Sequence, residues 1–130
     1  MIELLLPAQW LVSGRRHLAA ANILEVQPPD LAADVGFLAQ QCAECALKAV
    51  LIWREADLPR THDLGDLLSR IRTAGVDVPP ELLELAALAA FAVELRYAAP
   101  DTVNVESART ATRLAPAALN WAQYLIGVAG

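Results

Sequence analysis

Aromatic side chains are scarce in this 130-residue chain, at 5% of the total. Val and Ile are sparse too, so the chain lacks the residues that pack pleated surfaces, and a sheet-based fold is disfavoured. Lys48 is the single lysine among ten basic residues, and the net charge is −5. That balance excludes a generally basic nucleic-acid footprint, although arginines brought together in space could still form a local patch. Histidine occurs twice, at 17 and 62, and cysteine twice, as the CxxC pair Cys42 and Cys45. A zinc site would need two further ligands, and only distant histidines and carboxylates are on offer. No βαβ pattern surrounds the pair, as a thioredoxin-like motif requires. The two readings are a metal or redox pair and a pair of buried core thiols; the second is the expectation, with no metal and no cofactor. Long hydrophobic runs are also missing. The longest, LAALAAFAV at 85–93, has nine residues, too few to span a bilayer. The N-terminal MIELLLPAQWLVSG carries Glu3 and no basic n-region, a poor signal peptide. The expectation is a cytoplasmic protein that does not enter a membrane.

What the chain has is Ala and Leu, within a hydrophobic content of 56%. That mix favours close helix–helix packing. No repeat or linker divides it, so residues 1–130 are read as one domain, long enough to bury a core. Prolines at 28–29, 59, 79–80 and 100 separate stretches of helical periodicity. Five helices are predicted, at 7–26, 30–56, 62–74, 80–97 and 104–127. The fold class is all-α: an antiparallel up-and-down bundle of about five helices.

The second helix is the most informative. Leu31, Val35, Leu38, Cys42, Cys45, Ala49 and Ile52 alternate in steps of four and three, the seam of a helix lying nearly parallel to its neighbours. Both cysteines fall on it. Phe37, Leu47 and Leu51 lie on the opposite face beside a polar stripe, Gln40, Glu44 and Lys48. A helix apolar on two sides is either central to its own bundle or shared with a second subunit. In the fourth helix the stretch from Leu85 to Val93 is apolar almost all round, predicting deep burial. Pro116 in the fifth predicts a kink or break around 112–115, and Asn104 is its expected cap. Leu11, Gly14, Leu18 and Ala21 form the packing row of the first helix. Arg15, Arg16 and His17 read as a solvated face, and Trp10, Trp53 and Trp121 as packing anchors.

The connection LPRTHDLGDLL (58–68) places Arg60, His62 and Asp63 close together. Pro59 is expected to end the second helix and Thr61 to cap the third, with Asp63 in its first turn and Leu64, Leu67, Leu68 and Ile71 buried. That leaves His62 at the first helical position with only part of its role explained. Catalysis by His62 would need a group to orient its ring, and Arg54, Glu44 or Arg96 could reach it only through the fold.

Three segments, FLAQQCAECALKAVLI (37–52), LPRTHDLGDLL (58–68) and ELRYAAPD (94–101), the last followed by a long helix ending in ALNWAQYLI, together resemble a HEPN domain (higher eukaryotes and prokaryotes nucleotide-binding). The family pattern QQAAEKALKALL matches at Gln40, Gln41, Glu44, Ala46, Leu47, Lys48 and Ala49, and departs at Cys42 and at Cys45, usually a lysine. The resemblance implies a helical bundle that homodimerises and pairs with a minimal nucleotidyltransferase, often as a toxin–antitoxin couple, with nucleotide or RNA as candidate ligand. Members that cleave RNA carry R-x(4–6)-H near the start of the late helix. Arg96 would be that arginine, but the positions that should hold histidine are Asp101, Thr102 and Val103, and no histidine follows. The chain therefore resembles a member without the nuclease signature. Arg96 and Tyr97 match the family's RY; they read as a helix terminus or as an anion contact. The stripe Gln40, Glu44 and Lys48 reads as a dimer-interface network or as the wall of a ligand cleft. A non-catalytic reading comes first, and an RNase built on Arg54, His62 and Arg96 is the alternative.

Overall fold

Helix α1 (Pro7–Glu25) starts on a proline whose missing N–H costs nothing at a first-turn position. The Gln9 side chain reaches back to accept from the Leu6 amide at 2.6 Å, half of a capping box. Then follow α2 (Ala32–Trp53), α3 (Leu64–Thr73), a 3₁₀ segment (Pro80–Leu88) and α4 (Val105–Ala129). This computed structural model describes residues 6–25, 32–88 and 105–129. Arg96, Tyr97, Leu31, the expected cap Asn104 and the remainder of the fourth expected helix beyond residue 88 lie outside them.

The architecture is the expected all-helical bundle, with α2 at its centre. Its most extensive packing is against α1 and α4, and α3 closes a third side. Every residue from Cys42 to Leu51 is buried, on all sides of the helix. Gly14 of α1 opens the way for close approach: a Cβ there would stand 3.4 Å from the Cys42 carbonyl oxygen and 3.2 Å from Leu119 of α4. With Gly14 beside Cys42 and Cys45, and Trp10 beside Lys48, α1 and α2 run antiparallel. The two-sided apolar character of α2 is thus met within one chain: Leu47 and Leu51 are fully buried, and of the three apolar residues on that face only Phe37 stays exposed, at 40%. One helical stretch, Asp34–Trp53, is long and apolar enough to cross a membrane, and most of it is enclosed by its neighbours.

Both cysteines are core residues, free and buried. The Cys42 thiol lies 3.8 Å from the Ala115 carbonyl, and Cys45 Sγ is 3.6 Å from Ser13 Oγ.

The helix ends depart from expectation in instructive ways. Pro59 does not stop α2. The helix closes at Trp53 in a Schellman turn, in which the Ala56 amide donates to Leu51 and the Glu55 amide to Ile52, with Glu55 left-handed at φ 58°. Gly75 (φ 89°) plays the same part after α3, where the Val76 amide donates to Ile71. Thr61 is not the cap of α3. That role falls to Asp63, whose carboxylate accepts from the Gly65 and Asp66 amides, while the Thr61 hydroxyl accepts from the Asp63 amide. His62 accordingly precedes the cap instead of opening the helix.

The fourth element begins as expected at Pro80 but winds as a 3₁₀ helix over its described residues. Leu82, Leu85 and Leu88 are buried at steps of three, and three residues per turn stack them in one row, where an α-helix would fan them apart. Leu83, Ala86 and Ala87 face outward, so burial here is one-sided. Pro116 does not break α4, which is helical without interruption from 105 to 129. Along α4 the row Ala108, Ala111, Ala115, Leu119 and Ala122, at helical spacing, is buried, and Ile126 continues it as a partly buried residue.

Candidate functional site

A polar stripe inside an apolar helix needs partners, because an unpaired buried charge is costly. Glu44 and Lys48 are 6% and 8% exposed, and at i, i+4 on α2 they pair directly, Lys48 Nζ to Glu44 Oε2 at 3.0 Å. The same Oε2 stands 2.8 Å from His62 Nδ1, carried in by the connection between α2 and α3. An ionised carboxylate only accepts, so with Glu44 charged Nδ1 is the donor in this contact. The His62 side chain is 49% exposed. On the far flank the Lys48 ammonium sits 5.5 Å from the centre of the Trp10 ring, within cation–π range. Trp10 Nε1 and the Gln40 side-chain oxygen are buried without a hydrogen-bond partner among the described residues.

Of the residues singled out from the sequence, Glu44, Lys48 and His62 come together, and Gln40 lines the same stripe one turn away. Arg54 does not join them. Its guanidinium donates to the Ala74 carbonyl at 3.1 Å and lies over the Trp53 ring at 5.7 Å. Ala74 ends α3 and His62 precedes its start, so a ten-residue helix separates the two, about 15 Å. Trp10 was legible only as a packing anchor; its place against Lys48 bridges 38 positions and leaves no mark in local periodicity.

Burial disfavours the thiolate form of both CxxC cysteines. Burial pushes the Cys42 thiol up to about 12, with Cys45 adding to the effect, and burial likewise raises Cys45. A thiol so held stays neutral, and the thiolate is the form that attacks or binds metal. Among the described residues no group of three His, Cys, Asp or Glu side chains is placed to hold a metal ion.

The HEPN-domain family model matches residues 8–125. The chain belongs to the HEPN family. Its fold is similar to the crystal structure of an archaeal HEPN homologue, with a TM-score of 0.71 over 95% of this chain and 99% of that one, at 21% sequence identity. Identity at that level speaks for a shared fold alone. No curated protein matches the chain. Within a HEPN bundle the Glu44–Lys48–His62 cluster thus occupies the central helix and the connection that follows it.

Proposed function

We propose that this HEPN protein is non-catalytic and acts as a homodimer paired with a minimal nucleotidyltransferase, in a toxin–antitoxin-like couple, with a nucleotide as its candidate small ligand. The carrying observation is the sequence after Arg96, where Asp101, Thr102 and Val103 stand at every position that R-x(4–6)-H would give to histidine. The placement of Arg54 at the opposite end of α3 from His62 supports the same reading. Phe37, exposed beside the buried stripe on α2, supports a surface for a second copy.

The test is incubation of the purified protein with structured RNA, alongside His62→Ala. Neither is expected to cleave; cleavage by the wild type overturns the non-catalytic reading. Light scattering at micromolar protein should give a dimer mass, and a monomer mass removes the homodimer. Calorimetric titration with ATP should give a saturable heat, and a blank at millimolar ligand removes the nucleotide.

One observation favours the second reading, an RNase using Arg54, His62 and Arg96. Glu44 supplies the ring-orienting partner that a catalytic histidine needs. In that case wild type cleaves RNA and His62→Ala does not.

A further inference from the structure

Three arginines gather at the C-terminal end of α3, and two are committed. Arg70 pairs with Asp66 at 3.1 Å, and Arg54 donates to the Ala74 carbonyl. Cations at a helix C-terminus are ordinarily explained by the negative end of the dipole. Here most of that end is already answered: the amides of Ala74, Gly75 and Val76 take the carbonyls of Arg70, Arg72 and Ile71, and Arg54 takes that of Ala74. Arg72 is left over, exposed and without an acceptor among the described residues. Three acids of α3 and the 3₁₀ segment are engaged elsewhere: Asp66 holds Arg70, Glu84 pairs with Arg113, and Asp63 caps the helix.

Arg72 borders a groove of about 610 Å³ between α3 and the 3₁₀ segment. Its two sides differ in chemistry. Ser69, Arg72 and Thr73 line one side from α3, with Arg72 and Thr73 each about one turn on from Ser69. Leu83, 38% exposed, and Ala86 form the other from the 3₁₀ segment, and the buried Leu68 of α3 lies at the groove's apolar base. The 3₁₀ segment packs against α3 at Gly65, where a Cβ would come into contact with Ala86 at 3.4 Å. The volume is in the usual range for small-molecule sites, of roughly 300–1,000 Å³.

The geometry points to a binding site for a small organic anion with a flat apolar body, its head on Arg72, Ser69 and Thr73 and its body on Leu68, Leu83 and Ala86. The site shares no residue with the Glu44–Lys48–His62 cluster, so it stands or falls separately from the non-catalytic reading. A guanidinium donates to phosphate or carboxylate in a bidentate manner, and the Ser69 and Thr73 hydroxyls are further donors in the same lining.

The test is an amide-resolved NMR titration of the full chain with 1-naphthyl phosphate, 1-naphthoate, neutral 1-naphthol and inorganic phosphate. Saturable shifts are expected at Gly65, Ser69, Thr73 and Ala86 with either aromatic anion, and none there with inorganic phosphate. Arg72→Ala, at an exposed position, should keep the dispersed spectrum and weaken binding about tenfold, the loss of one charged hydrogen bond. Arg72→Lys should recover part of that loss. No saturable shift, shifts confined to other surfaces, equal binding of naphthol, or unchanged affinity in Arg72→Ala would each overturn the site.

Discussion

Replacing Glu44 with leucine removes the one carboxylate among the described residues that answers the buried Lys48 ammonium. Lys48 is 8% exposed, and its Nζ has Glu44 Oε2 at 3.0 Å and the Trp10 ring at 5.5 Å. After the substitution only the ring face remains. Breaking a buried pair by deleting one partner costs about 3–5 kcal/mol, because the survivor is left charged and uncompensated. His62 loses its partner too, but a half-exposed ring recovers water and adds little. The lysine stem can bend its ammonium outward and recover part of the penalty, which places the expected loss near 3 kcal/mol. That is a large share of a total stability of about 5–15 kcal/mol. Removing both charges at similar volume, as Glu44→Leu with Lys48→Met, should cost no more than about 1 kcal/mol, because nothing charged stays behind. Urea unfolding followed by far-ultraviolet circular dichroism at neutral pH reads the difference. With a slope of roughly 1–3 kcal/mol per molar, the single variant should lose at least about 1 M in midpoint and the double variant far less. A single variant as stable as the double would refute the idea that this stripe is a paired, desolvated network.

Asp63→Ala should cost about 1 kcal/mol in the same assay and Thr61→Ala clearly less, since Asp63 accepts two amides at the start of α3; the reverse order would restore Thr61 as the cap. Glu55→Gly should raise stability by about 1 kcal/mol, because a left-handed residue at φ 58° is relieved when its Cβ is removed; a loss would mean the Glu55 side chain contributes more than its backbone costs. The folded-state Cys42 thiol is raised from 9.0 to about 12, so its contribution is intact below pH 9 and fades as pH rises toward 12. The unfolded chain then releases a proton that the folded chain keeps, a slope of roughly 1.4 kcal/mol per pH unit. Alkaline unfolding of Cys42→Ala should be less steep than that of the wild type by that amount, and identical slopes would show that the thiol does not contribute.

Much of the fold was legible along the chain. The seam from Val35 to Ile52, the buried row Leu64, Leu67, Leu68 and Ile71, and the small-residue face of α4 follow from helical repeat, a local property. The polar stripe was legible as a stripe because Gln40, Glu44 and Lys48 are neighbours at i, i+4. Its partners were not. His62 is 18 positions from Glu44 and Trp10 is 38 from Lys48, and no periodicity encodes a meeting between elements. The cap of α3 was misplaced by two residues for a chemical reason: Thr61 and Asp63 can both accept amide protons, and only the backbone path decides which faces the helix. The 3₁₀ winding of 80–88 was hidden because Leu82, Leu85 and Leu88, though fanned out on an α-helix, would still fall within one broad apolar face of it.

By itself the sequence determined that the chain is helical, where α1, α2, α3 and α4 lie to within a few residues, and which of their faces are apolar, because backbone propensity and side-chain period act over a turn or two. Family membership was legible there as well, in the combined order of three segments. Tertiary structure alone decided that α2 is enclosed by its own chain, that one carboxylate serves both a lysine and a histidine, and that Arg54 stands apart from His62. Those outcomes depend on how helices cross and where connections return. Packing free energy settles that over the whole molecule, and no stretch of sequence carries it alone.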